Sequence, residues 1–558
     1  MLSLLLTICL VFWLTPIVSS APAESRPSAQ EYDVVIYGNT VAAMAAAIQT
    51  VRMKKTVAIV FPGNTIGGLT ASGLGWTDSK NGNAIGGIAR EFYGKVYAHY
   101  RKSGAWKRET RSKYISRKIG AQPGPAIDDS KKVQWTFEPK VAEYIWENWM
   151  KDGKIPVYRN QAIDRSKSGV VKKGGRITSF KTLDGTVFKA KMFIDAGYEG
   201  DLMATAGIPY RVGREAKSAY SESAAGVAIN SANTLSKIDP YMKKGDPKSG
   251  LLYGVDRIIG DTKSVAGNAD PIRLQSYNYR LCLTKEAGNR VPFSKPAGYN
   301  ESNYELLFRY IEAGYKGPFF TSQLMPNIKT DSNARGQVST DLIGGNYNTE
   351  SNYPEFSYAQ RAANAREHKL WTQGLLWTLA NHERVPESIR KSVSAWGHAK
   401  DEFVKNGNWP YELYIREGRR MYGSYTMRQS DIQQPKYRSN AIAMGAYTLD
   451  VHQVSRVLVQ GKIYDDGLVH VPIKGPFSIP YEAIIPKAGD ATNFLNPVTM
   501  SSTHIAYSSI RMEPTYMSMG QSAATAAVMA IEQGVKVQDI DREKLRARLI
   551  ADKQVLRL

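Results

Sequence analysis

The stretch that most limits the fold is Tyr32-Asp-Val-Val-Ile-Tyr-Gly-Asn-Thr-Val-Ala-Ala-Met-Ala-Ala-Ala-Ile48. Val34–Tyr37 predict a short buried strand, Gly38-Asn-Thr40 a tight turn, and Val41–Val51 a helix whose alanines permit close approach to a sheet. Thr56–Phe61 read as a second strand, completing a β–α–β unit. Such a unit places helical N–H groups at the end of a parallel sheet, where a cofactor pyrophosphate can sit. The glycine pattern departs from the dinucleotide fingerprint, because it reads Gly38-x-Thr40-x-x-Ala43. Phe61, 23 residues beyond Gly38, stands where an acid commonly holds the adenosine ribose, and its ring accepts no hydrogen bond.

Further along, Gly67-Gly68-Leu-Thr-Ala-Ser-Gly-Leu-Gly75 is a loop too rich in small residues to be packing alone. Helices are expected over Gly86–Tyr100 and after Phe137-Glu-Pro, a short strand over Ile155–Tyr158, and a hairpin of Ile177–Leu183 and Thr186–Lys189 around Asp184-Gly185. Met192–Ala196 reads as another strand, running into Gly197-Tyr-Glu-Gly-Asp-Leu202. Residues 211–470 are richer in aromatics and loops, with helices expected at Trp371–Ala380, Trp396–Phe403 and Tyr411–Met427. The first texture returns at the end: strands at Phe477–Tyr481, Ala483–Pro486 and Asn493–Val498, then a helix Met517–Ile531 opening near Gly520-Gln521. The expected architecture is α/β, a discontinuous Rossmann-like domain (31–215 and 471–558) with an inserted mixed α+β substrate or cap domain (216–470).

The chain has 558 residues, 73 Lys and Arg against 51 Asp and Glu, and a formal charge of +22. Its basic residues are spread out, with local clusters at Lys102–Lys118 and Lys167–Arg176. That pattern suits a solvated face or attraction to an anionic extracellular polymer better than a specific nucleic-acid site. Met1–Ser20 is uncharged and nearly all apolar, and small residues follow, so residues 1–23 read as a secretory signal peptide; an uncleaved anchor is the alternative. Of two cysteines, Cys9 lies in that segment, leaving Cys282 without an intramolecular partner and most readily a buried structural thiol. Asn300-Glu-Ser302 is a glycosylation sequon. Neither the cysteine supply nor seven scattered histidines form a metal site.

Taken in order, Tyr32–Asp78, Ile194-Asp-Ala-Gly-Tyr-Glu-Gly-Asp-Leu202 and His504-Ile-Ala-Tyr-Ser-Ser-Ile-Arg-Met-Glu-Pro514 make the chain resemble the secreted FAD-dependent oxidoreductases with a glutathione-reductase-like flavin fold. The resemblance implies FAD held by Gly38, Thr40 and Ala43 at the pyrophosphate turn. It implies Gly67 and Gly68 on the flavin side, Asp195 and Asp201 in the later strand–loop, and Arg511, Gly520 and Gln521 in the C-terminal segment. Asn333 and Arg335, before Asp341-Leu-Ile-Gly-Gly345, are substrate-side candidates by the same layout.

Hydride transfer to a flavin needs a base for the proton on the substrate hydroxyl or amine. His504 is the leading base; Tyr507 joins it on one face if the stretch is helical, and His452 is a further pocket candidate. Arg511 is expected to contact flavin or a structural acid, Glu513 being its nearest in sequence. The leading function is a secreted FAD-linked oxidase or dehydrogenase acting on a polar alcohol, sugar or glycan-derived substrate. An extracellular binding protein on a degenerate flavoprotein scaffold and a flavin-dependent amine oxidase are the alternatives. Loss of FAD would follow if Thr40 and Phe61 abolish its site.

Overall fold

The computed structural model describes residues 29–558, so the signal-peptide reading and Cys9 lie outside the described residues. The opening β–α–β is present as β1 (Ala29–Tyr37), α1 (Val41–Arg52) and β2 (Val57–Val60). Helix α2 spans Gly87–Tyr100, and α3 spans Pro139–Asp152 with proline at its first position, where the missing N–H is harmless. Four more strands complete one path: β3 (Val157–Tyr158), β4 (Val170–Lys173), β5 (Arg176–Lys181) and β6 (Val187–Asp195). The order is β3-β2-β1-β6-β5-β4, parallel across β3-β2-β1-β6 and antiparallel beyond. Met192–Ala196 is therefore no separate strand; it continues the one that begins at Val187.

Period-2 alternation sorts β1 between two cores. Val34 and Ile36 pack with α1, while Val35 and Tyr37 pack with Phe180, Phe193 and Leu202 on the opposite face. The C-terminal part of the chain returns to this sheet. A short strand, β7 (Phe494–Leu495), pairs parallel with β6. After α4 (Tyr358–Asn381) and α5 (His504–Ile510), helix α6 (Glu513–Gln533) lies along α1, and a Cβ at Gly520 would overlap the Ala42 carbonyl. The two helices approach closely because their facing residues are glycine and alanine.

Residues 235–463 contribute a further apolar core around Leu281, Leu307, Trp371 and Leu375. Beside it runs a five-stranded antiparallel sheet, in order Arg290–Val291, Gly397–Ala399, Leu281–Thr284, Lys329–Ser332 and Gln323–Met325. The expected helix Trp371–Ala380 lies within α4, which a Ser357–Gln360 capping box opens.

Other expectations are corrected. Trp396–Phe403 is a short interior strand (Gly397–Ala399) and turns, and Tyr411–Met427 runs as irregular chain with one short strand at Arg420–Met421. Ala483–Pro486 is no strand but follows a single 3-10 turn. The basic stretch 102–118 is α-helical only over Arg111–Ser116. Cys282 is buried and free. Among the described residues no helix is long and apolar enough to cross a membrane.

Candidate active site

Where β1, β2 and β6 end, the chain leaves a cleft of about 380 Å³. Tyr37–Asn39 bound it after β1, Pro62 and Gly63 after β2, Gly197–Glu199 after β6, and Arg361 of α4 on the outer side. Ligands of open α/β sheets bind at strand ends of this kind.

Gly38 sits at φ +127°, and a Cβ there would overlap Ala196 at the end of β6. Gly38→Ala is therefore expected to combine backbone strain of roughly 1–3 kcal/mol with a steric clash. Urea unfolding should show a clear loss of stability, and an unchanged midpoint would contradict the close approach.

Thr40 precedes α1 in extended conformation, and its side chain makes no cap bond. Its Oγ1 instead donates to the Ala196 carbonyl at 2.8 Å, which draws the added bulk toward β6. Thr40, Val41, Ala42 and Ala43 are fully buried, so the first-turn N–H groups lack both a side-chain cap and open solvent. A helix start of this kind suits an anionic ligand. The Gly67 and Gly68 N–H groups both donate to the Asn39 carbonyl at 3.0 Å, fixing the turn from the other side.

The two aspartates of the later loop serve structure first. Asp195 accepts from Gly197 N–H (3.1 Å) and Met203 N–H (2.8 Å), and burial pushes its carboxyl up to about 7. Asp201 is gripped by Arg361 (2.6 and 2.8 Å) and Arg419 (2.9 Å). Burial would raise Asp201, but those guanidinium groups hold it well below the usual carboxylate range.

A second polar region is built from sequence-distant segments. In α5, His504 is 2% exposed and its Nδ1 lies 2.8 Å from Glu417 Oε2. Burial opposes ionisation of Glu417, yet His504 and Arg420 outweigh it and keep this carboxyl below its ordinary value. An ionised Glu417 can only accept, so the proton between the two groups sits on Nδ1. His452 forms a matching pair, with Nδ1 2.6 Å from Asp341 Oδ2. Burial, then Arg416, lowers the His452 imidazole, while Arg416 and His452 together overcome burial and hold Asp341 at about 2.

Gln275 joins the two pairs: its Nε2 donates to Glu417 at 3.0 Å and its Oε1 accepts from His452 N–H at 3.3 Å. Arg416 donates to Asp341 (3.0 Å) and to Asn333 Oδ1 (3.1 Å). Arg511 donates to the Tyr414 hydroxyl at 2.7 Å and the Asp450 carbonyl at 2.8 Å.

The structure thus brings His504, His452, Arg511 and Asn333 into one network. Arg335 is exposed and makes none of its bonds. Tyr507 does share a helix with His504, but its hydroxyl is engaged by Tyr516 at 2.7 Å. Arg511 is not partnered by Glu513, whose Oε1 accepts from Tyr198 at 2.9 Å. Nor does α6 open at Gly520: Met512 is its N-cap, Gly520 lies on Ala42, and Gln521 Oε1 accepts from Ile88 N–H at 2.9 Å. Those two side-by-side positions hold helices together, and Glu513 is the residue that α6 presents at its start.

Glu513 also shows why these residues suit a cofactor. It is 3% exposed, burial raises it to about 8, and its Oε2 has no partner. Ser72 Oγ, Trp76 Nε1 and Arg511 Nε are likewise buried without partners. Buried polar atoms are normally paired, so orphans of this kind fit a large ligand carrying donors and acceptors.

Opposite shifts set a pH profile for the ligand-free protein. Glu412 and Glu513 rise from an ordinary 4.5 to about 8, so their contribution is full below 4.5 and lost as pH rises through 8. Asp341 and Glu215 fall to about 2, so theirs is present above the ordinary carboxylate range and lost as pH falls through 2. Urea midpoints should peak at mildly acidic pH; a monotonic rise to pH 8 would contradict these burials.

A mixed sheet whose parallel strands end at a phosphate-ready helix start is the frame of a nucleotide-cofactor fold. The sequence profile of the FAD dependent oxidoreductase family matches residues 33–549, and the chain belongs to that family. The cofactor of that family is FAD.

Among solved structures, L-amino acid deaminase from Proteus vulgaris is 15% identical, over 34% of this chain and 54% of that one, with a TM-score of 0.23. L-proline dehydrogenase from P. horikoshii is also 15% identical, over 34% of this chain and 59% of that one, with a TM-score of 0.23. The chain spans little more than half of either protein, and likenesses this slight carry no argument. No curated protein matches the chain.

Proposed function

We propose that this protein oxidises a polar alcohol of the carbohydrate class, with His504 as the base for the hydroxyl proton. FAD, when bound, supplies the hydride acceptor. The observation that carries the reading is the His504–Glu417 pair, in which Nδ1 is held by the carboxylate, so that Nε2 is the ring nitrogen left for the substrate. Glu417 fixes the imidazole and stabilises the charge it gains, as a carboxylate does behind a catalytic histidine. His452 stands nearer solvent, with a 16% exposed side chain, and Asp450 and His470 flank it. These groups suit the binding of hydroxyl-bearing substrates. Burial of His504 excludes water from the proton transfer.

The same reading takes the chain to be secreted, with a discontinuous FAD domain and an inserted cap. An exposed Asn300 and the charge of +22 support an extracellular setting near anionic polymers. Turnover of sugars and sugar alcohols, with oxygen or a quinone as acceptor, tests the substrate class. Carbonyl products from alcohols are expected; turnover of amines alone would replace this reading with an amine oxidase.

A further inference from the structure

The cofactor cleft lacks an acid where the adenosine ribose is ordinarily held. Strand β2 ends at Val60, and Phe61-Pro-Gly-Asn64 follow without a carboxylate. Phe61 is fully buried, and its ring packs near Gly63. Glu412, from a segment some 350 residues later in the chain, lines the same cleft beside Asn39, Pro62 and Gly63. Asn39 Nδ2 donates to the Thr65 carbonyl at 2.9 Å and also to Glu412 Oε1. The carboxylate is therefore one amide group away from the loop that follows β2.

We infer that Glu412 is the ribose-binding carboxylate of this chain, accepting the adenosine hydroxyls of FAD in place of the missing strand-end acid. Its second oxygen receives no hydrogen bond, and no cation pairs with it, among the described residues. A carboxylate lined up on a cleft without a protein counter-charge is suited to hydroxyl donors from a ligand. Burial raises it to about 8, so it is a neutral acid in the ligand-free cleft, and hydroxyl donors from a ligand would favour its ionised form. Its rivals fit less well. Asp201 is consumed by Arg361 and Arg419. Glu199 follows β6, on the far side of β1 from β2.

The inference rests on FAD as the cofactor, and its test separates the two. The full-length protein, stripped of flavin, is titrated with FAD and with the FAD analogue lacking the adenosine 2′-hydroxyl, followed by flavin fluorescence. Wild type should lose about ten- to a hundredfold in affinity for the deoxy analogue, the range of a charge-assisted hydrogen bond. Glu412→Ala should weaken FAD by a similar factor and remove most of the discrimination between the two ligands. Glu412→Gln, which keeps an acceptor for Asn39, should fall between and guards against loss of folding in the alanine variant.

Full discrimination retained in both variants would overturn the assignment, as would its disappearance in Glu199→Gln instead. Wild type that binds neither ligand would overturn the cofactor itself.

Discussion

His504→Gln should slow anaerobic, substrate-driven flavin reduction by about 10²–10⁴-fold, the usual contribution of a positioned general base. Glutamine retains a donor for Glu417 but offers no lone pair of comparable basicity where Nε2 stood. The change leaves the strand-end cleft and α1 untouched, so FAD content should remain at the wild-type level. Arg420 still pairs with Glu417 at 2.8 Å, so the buried carboxylate keeps a counter-charge and melting should shift little. Stopped-flow reduction checks the rate, and the flavin spectrum checks loading. A rate unchanged with flavin fully bound would remove His504 from the chemistry and move attention to His452.

Asp201→Ala should be the most destabilising single change near the site. Asp201 is 3% exposed and neutralises Arg361 of α4 and Arg419 of the 411–427 segment together. Removing one partner of a buried pair costs about 3–5 kcal/mol, because the remaining charge is stranded. A domain's whole stability is about 5–15 kcal/mol, so the loss should appear as reduced soluble yield and a much lower urea midpoint. Arg419 keeps Glu355 at 2.9 Å, whereas Arg361 keeps only carbonyl acceptors. Adding Arg361→Met should therefore recover part of the loss. An unfolding free energy within about 1 kcal/mol of wild type would show that water already reaches these groups.

These pairs also explain what could be read in the residues alone. The β1–α1–β2 unit was legible because apolar periodicity and alanine content act locally, and α2 and α3 for the same reason. The 411–427 segment was not. Tyr-Glu-Leu-Tyr-Ile-Arg-Glu-Gly-Arg-Arg-Met421 has ordinary helix formers, yet Arg416, Arg419 and Arg420 reach Asp341, Asp201 and Glu215 in different parts of the molecule. Tertiary ion pairs override local propensity there.

The same long-range pairing hid part of the site. His504, His452, Arg511 and Asn333 carried chemical signals of their own. Glu417, Asp341, Gln275 and Glu412 matter through partners that lie 75 to 373 residues away. One signal was available: Glu417 is an acid set among three arginines, a pattern that hints at burial. Thr40 is the opposite case. Its departure from glycine looked damaging, but its hydroxyl bonds the β6 carbonyl and leaves the cleft free.

The most direct measurement is anaerobic mixing of the purified, FAD-loaded protein with a panel of sugars, sugar alcohols and amines while the flavin absorbance is followed. The account predicts bleaching by at least one carbohydrate alcohol, lost in His504→Gln and absent with amines. Bleaching by amines alone, or by carbohydrates equally fast without His504, would contradict it.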